Sequence, residues 1–389
     1  MHGHKSSNTE DNSAGRYYFD WAATAIPDSF GVESIAAFGN PSSLHREGRQ
    51  AKAILEAARS RCAAVLGVSS KQLYFTSGGT ESNALALHSM ALRKQAAWLL
   101  ASAVEHPSVR ENCLVLERLG KQIGSIGVEK DGRVSPASLE KALDKYPETR
   151  FAAIMALNNE TGAVMDIPNL VRLIRARGGA PIHVHSDLVQ AIGKIPVDIP
   201  GWDLDSASIS AHKLGGPRGI GLLYLRKPLD PIYTGGGQEG GIRPGTENTA
   251  GAVALAACLE RRALPEIVKT EYEAARCRWK TFIAALRGMD RCTLIPQDRQ
   301  DRWFSPWIVQ AAFKDLPGEV MVRALDDQGF AVSTGSACSS SQQERPVLVA
   351  MGVDERTRRE GIRISQGWST TTEDIGALTQ AIREILNTL

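Results

Sequence analysis

The feature that most constrains this chain is a rhythm between residues 17 and 226, where short apolar runs alternate with stretches of helical periodicity. The runs at 72–76, 98–104, 122–128, 151–157, 181–187, 205–210 and 219–226 have strand length. The segments at 81–94, 107–119, 135–146 and 168–177 place apolar residues at helical spacing between them. Such alternation predicts an α/β fold built on a largely parallel sheet. Parallel neighbours need a crossover connection, and each crossover helix must bury its apolar stripe on a sheet face. A site in such a fold is expected at the C-terminal ends of the strands.

The rhythm stops at a glycine-rich stretch, 234–246 (TGGGQEGGIRPGT). It formally contains GxGxxG, but Pro228 and Pro231 break the strand that should precede a dinucleotide loop, and Pro244 stops the helix that should follow. A helical segment then runs over 248–287, with Pro265 expected to kink or divide it. Beyond it, a strand over 307–313, a helix over 318–328, a strand over 330–334 and a terminal helix over 372–386 predict a smaller α+β module. The expected division is a flexible polar tail over 1–16, a large domain over 17–255 and a small C-terminal domain over 256–389, in keeping with about 150 residues per domain.

Composition narrows the function. Forty-five Lys and Arg against 43 Asp and Glu leave a net charge of +2, no footprint for nucleic acid or an anionic membrane. The longest uncharged apolar run, 250–259, is about half of the ~20 residues that a membrane-spanning helix needs. Six dispersed cysteines without a CxxC pair offer neither a zinc knuckle nor a dithiol, and read as reduced thiols of a cytoplasmic protein. Cys62, Cys113, Cys258 and Cys277 fall in helical patterns and are expected to be structural.

Four local patterns carry chemistry, each beside a plainer reading. The run LYFTSGGT, 73–80, leads from a strand through Gly78 and Gly79 to a helix start. It makes either an anion site of backbone N–H groups and the Thr80 hydroxyl, or an ordinary turn with Thr80 as N-cap. His183, His185 and Asp187 share one face of a strand. They permit a metal site, ordinary strand-end roles, or an Asp187 that holds a cationic cofactor nitrogen, with Gln190 following in the next turn. Lys213 ends the strand pattern SISAHK, as a solvated charge or as a buried amine able to form a Schiff base. Cys338 sits among small residues in VSTGSACSSSQ, as a small buried hydrophobe or as an accessible nucleophile.

Taken together, these segments resemble the cysteine desulfurases of the nitrogen-fixation and iron–sulfur-cluster assembly type. Those are fold-type I, class V aminotransferase-like enzymes that use pyridoxal phosphate. The stretches GNPSSLHREGR (39–49), TSGGTESN (76–83), VEHP (104–107), NNETG (158–162), HSDLVQ (185–190), SAHK (210–213), GTEN (245–248) and SAC (336–338) appear in family order. The resemblance covers about residues 17 to 370.

The resemblance implies roles. Lys213 would carry the cofactor, Asp187 would pair with its pyridinium nitrogen, His106 would stack on the ring and Gln190 would bond the phenolic oxygen. Gly79, Thr80, Ser210 and His212 would hold the phosphate, and Thr246 would reach the phosphate of the partner subunit in a homodimer. Asn159, beside the cofactor, and Arg363 would bind the substrate carboxylate. L-cysteine would lose its Cα proton to the freed Lys213 amine. The Cys338 thiolate would take the sulfur as a persulfide for an acceptor such as an iron–sulfur scaffold protein, and alanine would leave. Related alternatives are a selenocysteine lyase or another class V enzyme, and a catalytically silent scaffold that would have no need of Lys213, Asp187, Thr80 and Cys338 together. The chain departs from the family pattern in two places. QGW (366–368) replaces a Leu-Gly-Arg run, and the segment after Cys338 lacks Leu-Glu-Pro.

Overall fold

In a computed structural model of the chain, residues 16–27, 39–92, 97–335 and 345–389 are described. The first part runs β1 (Tyr17–Tyr18), α1 (Arg46–Leu66), β2 (Leu73–Thr76), α2 (Gly79–His88), β3 (Trp98–Ser102), α3 (Pro107–Arg118) and β4 (Gln122–Ile126). It continues through α4 (Pro136–Lys145), β5 (Thr149–Ala153), α5 (Ile167–Ala176), β6 (His183–Asp187), β7 (Ser206–Ser210) and β8 (Gly221–Leu225). All seven strands expected from the rhythm join one sheet in the order β2-β8-β7-β6-β5-β3-β4. Strands β3 to β7 are mutually parallel, and only β8 is reversed, antiparallel to both β7 and β2. The strand β2 therefore points the same way as the parallel set. The C-terminal ends of β2, β3, β5, β6 and β7 share one edge, and the loops that leave them converge there.

Both sheet faces are covered, as parallel strands require. Leu100, Ala152 and Val184 pack with helices α4 and α5 on one side. Their neighbours Leu99, Ala101, Phe151 and Ala153 pack with α2 and α3 on the other. Leu99, Leu100, Phe151 and Val184 each contribute about 1.5–3 kcal/mol on burial, and the alanines less. Helix starts follow local chemistry. Ser135 caps α4 through its hydroxyl, which accepts from the Ser138 N–H at 3.0 Å, and Asp166 caps α5 ahead of Pro168. Of helix α1 the sequence reading caught only the helical pattern around Cys62, because its inward face is largely alanine: Ala51, Ala58 and Ala63 beside Leu55, Cys62 and Leu66. It ends at Gly67, whose φ of 67° suits a residue without a Cβ.

The remaining elements are α6 (Thr249–Arg262), α7 (Pro265–Arg287), β9 (Cys292–Ile295), β10 (Ile308–Phe313), α8 (Gly318–Asp327), β11 (Phe330–Ala331), α9 (Pro346–Ala350), α10 (Glu355–Glu360), β12 (Gly361–Ser365) and α11 (Thr372–Thr388). Pro265 divides the long helical segment and opens α7. An antiparallel sheet, β12-β10-β9, carries the second core, where Ile362 and Ile364 meet Phe313, Phe282 and Ile382. Strands β9 and β12 were not anticipated as strands. Four or five residues ahead of a proline or behind a charged helix give little periodicity to read. Alternation along β12 sends Arg363 and Ser365 to the face opposite the two isoleucines.

Residues 17–25 stitch the two sheets together. β1 pairs with β11, the Ser365 N–H donates to Phe19 O at 2.8 Å, and the Ala22 N–H donates to Ser365 Oγ at 2.9 Å. This brings the carbonyls of Ala22 and Ala23 to the edge where the loops converge. Cys62, Cys113 and Cys258 are buried as expected, but Cys277 is not: α7 turns Ala275 and Trp279 inward and leaves Cys277 exposed. No helix among the described residues is long and apolar enough to cross a membrane.

Candidate active site

At the convergence of the loops lies a cavity of about 620 Å³. One end is an anion cradle. The helix α2 begins at Gly79, so its N-cap is Gly78 and not Thr80, which lies one residue inside the helix. No side chain caps that end, which leaves the first N–H groups and the positive end of the helix facing the cavity. The backbone there is tight: Gly78 has φ 151°, and a Cβ on Gly79 would meet Val189 Cγ2 at 2.5 Å. Thr80, Ser210 and His212 line the same end. Burial and the neighbouring Lys213 push the His212 imidazolium down to about 4, so the ring is neutral.

Asp187 ends β6 inside the cavity, and its carboxylate is held on both oxygens. Oδ1 accepts from the Val189 N–H at 2.9 Å and Oδ2 from Asn83 Nδ2 at 2.8 Å. Asn83, wholly buried on α2, donates its other hydrogen to Ser108 Oγ at 2.8 Å. His185, which burial pushes down to about 3 and keeps neutral, donates from Nε2 to Asn83 Oδ1 at 2.9 Å. Ser108 meets His106 Nδ1 at 2.8 Å through its hydroxyl and donates to it through its N–H at 3.1 Å. The neutral His106 ring therefore carries its proton on Nε2. Its pKa is lowered by burial against the opposing pull of Asp187. His183 and His185 are both taken up by Ser206, at 2.7 and 2.8 Å. Both rings are thus engaged by neighbouring side chains, and His185 reaches Asp187 through Asn83.

Lys213, in the short turn after β7, donates to Ala22 O at 2.6 Å and Ala23 O at 2.5 Å. Burial chiefly, and then the Arg363 charge, push its amine down to about 8. Gln190 donates to the same Ala22 O at 2.8 Å and accepts from Lys194 Nζ at 2.9 Å. Opposite them, Arg363 reaches in from β12. It pairs with Asp20 at 2.7 Å and donates to the backbone carbonyl of Asn159 at 3.1 Å. Burial pushes the neighbouring Glu105 carboxyl up to about 8 and raises Glu160, on the cavity wall, as well.

Ten of the twelve residues expected from the sequence thus line one cavity: Gly79, Thr80, His106, Asn159, Asp187, Gln190, Ser210, His212, Lys213 and Arg363. Thr246 does not. It is exposed on the glycine-rich loop, whose Arg243 pairs with Glu81 at 3.1 Å. That loop is anchored by Glu239, buried and bidentate on Arg59 at 2.7 Å. Cys338 lies outside the described residues. Sequence reasoning gave no role to Asp20, Asn83 or Lys194: Asn83 closes the recognised run 76–83 and Lys194 lies four residues beyond 185–190, while Asp20 stands near no motif. Where the family pattern has an arginine, Trp368 packs on Trp21 and Trp307, with Arg262 4.6 Å above its ring. It therefore braces the segment that presents Ala22.

The chain is similar to known proteins over almost its whole length. A NifS/IcsS protein homolog of Lactobacillus delbrueckii subsp. bulgaricus is 37% identical over 385 residues, which are 95% of this chain and 96% of that protein. The cysteine desulfurase IscS of Dictyoglomus turgidum is 36% identical, with 96% of this chain and 95% of its own covered. A solved NifS-like protein superposes with a TM-score of 0.87 at 32% identity, covering 96% of this chain and all of its own. The class-V aminotransferase profile matches residues 17–378. With a doubly gripped aspartate, a depressed lysine and an uncapped helix start around one cavity, and with these relatives, the chain belongs to the class-V aminotransferase family of pyridoxal-phosphate enzymes.

Proposed function

We propose that this chain is a cysteine desulfurase that moves the sulfur of L-cysteine onto Cys338 and releases L-alanine. The observation that carries the proposal is the meeting of Lys213, Asp187 and the uncapped start of α2 in one cavity with Arg363. These residues fit pyridoxal phosphate. Gly79, Thr80, Ser210 and His212 would hold its phosphate, Asp187 its ring nitrogen, His106 and Asn159 its ring, and Lys213 its aldehyde carbon. When bound, the cofactor supplies an electron sink for the pair left behind as the Cα–H bond breaks.

The chain's own residues do the rest. With its amine at about 8, Lys213 is partly neutral near neutral pH and can hold the Cα proton. Arg363 can exchange Asp20 for the substrate carboxylate, keeping a charge-assisted contact throughout. The Cys338 sulfur forms the new S–S bond as the C–S bond of cysteine breaks. One cysteine and one thiol thus become one alanine and one persulfide, with no external oxidant. Within the same proposal, the protein is a cytoplasmic homodimer, Thr246 reaches the partner subunit's phosphate, and the division at residues 255 and 256 separates a cofactor-binding from a Cys338-bearing part. The acceptor is a sulfur-carrying protein such as an iron–sulfur scaffold. Purified protein given L-cysteine should release alanine, and Lys213→Ala should release none. Alanine release that survives Lys213→Ala would sink the proposal.

A further inference from the structure

Lys194 has no part in the mechanism above, yet it is 2% exposed and ends beside the cavity wall. Its carbonyl accepts from Trp307 Nε1 at 2.7 Å, so the buried Trp307, just ahead of β10, fixes the turn that carries it. Its Nζ donates to Gln190 Oε1 at 2.9 Å. Burial chiefly, and then Lys213 and Arg363, push the Lys194 amine down to about 7; the Ala22 carbonyl, which can only accept, takes the NH2 end of Gln190 and leaves its oxygen to accept from Lys194. One of those two amide hydrogens goes to Ala22 O at 2.8 Å, the carbonyl to which Lys213 also donates at 2.6 Å. The second hydrogen is left for the cavity, which Gln190 lines. The charged groups that act on Lys194 are Lys213 and Arg363, both cations. A lysine kept in such surroundings needs a reason.

We propose that Lys194 is a positioning residue: it locks the amide of Gln190 so that its free N–H points at the phenolic oxygen of bound pyridoxal phosphate. The proposal rests on the cofactor reading above. Without Lys194 the amide is held at its NH2 end alone, by Ala22 O, and its oxygen, left without a donor, is freer to swing toward the cavity, where it would repel the phenolate.

The test compares two ligands on cofactor-free protein by equilibrium titration: pyridoxal phosphate, and its analogue with hydrogen in place of the 3-hydroxyl. Lys194→Met should weaken pyridoxal phosphate by about tenfold, the scale of one charge-assisted hydrogen bond partly lost, and the analogue by less than about twofold. In a Gln190→Ala background, Lys194→Met should add nothing further. Should Lys194→Met fail to fold by circular dichroism, Lys194→Gln, whose shorter chain stops short of Gln190, is read in the same way. Equal losses for both ligands, no loss for either, or a further loss in the Gln190→Ala background would overturn the role of Lys194 alone. A wild type that binds neither ligand would overturn the cofactor reading, and this proposal with it.

Discussion

The most informative perturbation of the cavity is electrostatic, because Lys213 is surrounded by groups of both signs. Burial is the largest influence on its amine, Arg363 adds to the lowering, and Asp20 and Asp187 oppose it, with a result of about 8 against an ordinary 10.5. At pH 7.5 roughly a quarter of the molecules then carry a neutral Lys213 amine, against roughly one in a thousand for an ordinary lysine. The nucleophilic form is enriched more than a hundredfold. The reactive fraction should therefore rise through an inflection at about 8 and level off about one pH unit above it. This is measurable on cofactor-free protein by competitive labelling with a limiting amine reagent from pH 6 to 10.5, reading the Lys213 peptide by mass spectrometry against exposed lysines. Removing a cation lets the ammonium persist, so Arg363→Met should move the inflection up. Asp20→Asn should move it down. An inflection above about 10 in the wild type, or shifts of the opposite sign in the variants, would refute the reasoning.

Three further outcomes follow from the same contacts. Asn83→Ala removes the donor to Asp187 and leaves the His185 N–H unpartnered. It should loosen pyridoxal phosphate by roughly tenfold to a hundredfold in equilibrium dialysis, the scale of one or two hydrogen bonds to a charged group. Unchanged affinity would mean that Asp187 needs no such support. Glu239→Gln strands the Arg59 charge in the interior and should cost about 3–5 kcal/mol in urea unfolding, less whatever the half-exposed Glu56 returns. A loss below about 1 kcal/mol would show that the glycine-rich loop is not held by that pair. Co-refolding Lys213→Ala with a Thr246-loop variant should restore up to roughly a quarter of the wild-type activity, because about half the dimers are mixed and each has one intact site. Mixed dimers without recovery would place Thr246 in its own subunit's site.

Much of this molecule was legible because parallel strands buried on both faces leave continuous apolar runs. Phe151–Ala153 reads as a strand whichever face each residue takes. Lys213 and Asp187 were legible because each closes a strand pattern at its C-terminal end, where a site in such a fold is expected. What stayed hidden depends on contacts distant in sequence. Asp20 meets Arg363 across 343 residues and Asn83 meets Asp187 across 104, and no local pattern encodes either pairing. Of the two readings open for Thr80, the N-cap one suited its side chain, but the cap is Gly78. Gly78 has the backbone freedom to take it at φ 151°. The extent of α1 beyond Cys62 was hard to read because alanine signals neither burial nor exposure strongly, and Cys277 looked structural because a helix hides which side faces out.

The central claim is that sulfur passes from L-cysteine to Cys338, and one measurement meets it directly. The cofactor-loaded protein is treated with L-cysteine, blocked with an alkylating reagent and digested, and every cysteine peptide is weighed while alanine is counted. The account predicts a gain of about 32 Da, one sulfur, on the Cys338 peptide, with one alanine released for each persulfide formed. A gain on Cys277 or Cys292 instead, or alanine released while Cys338 stays unmodified, would contradict it.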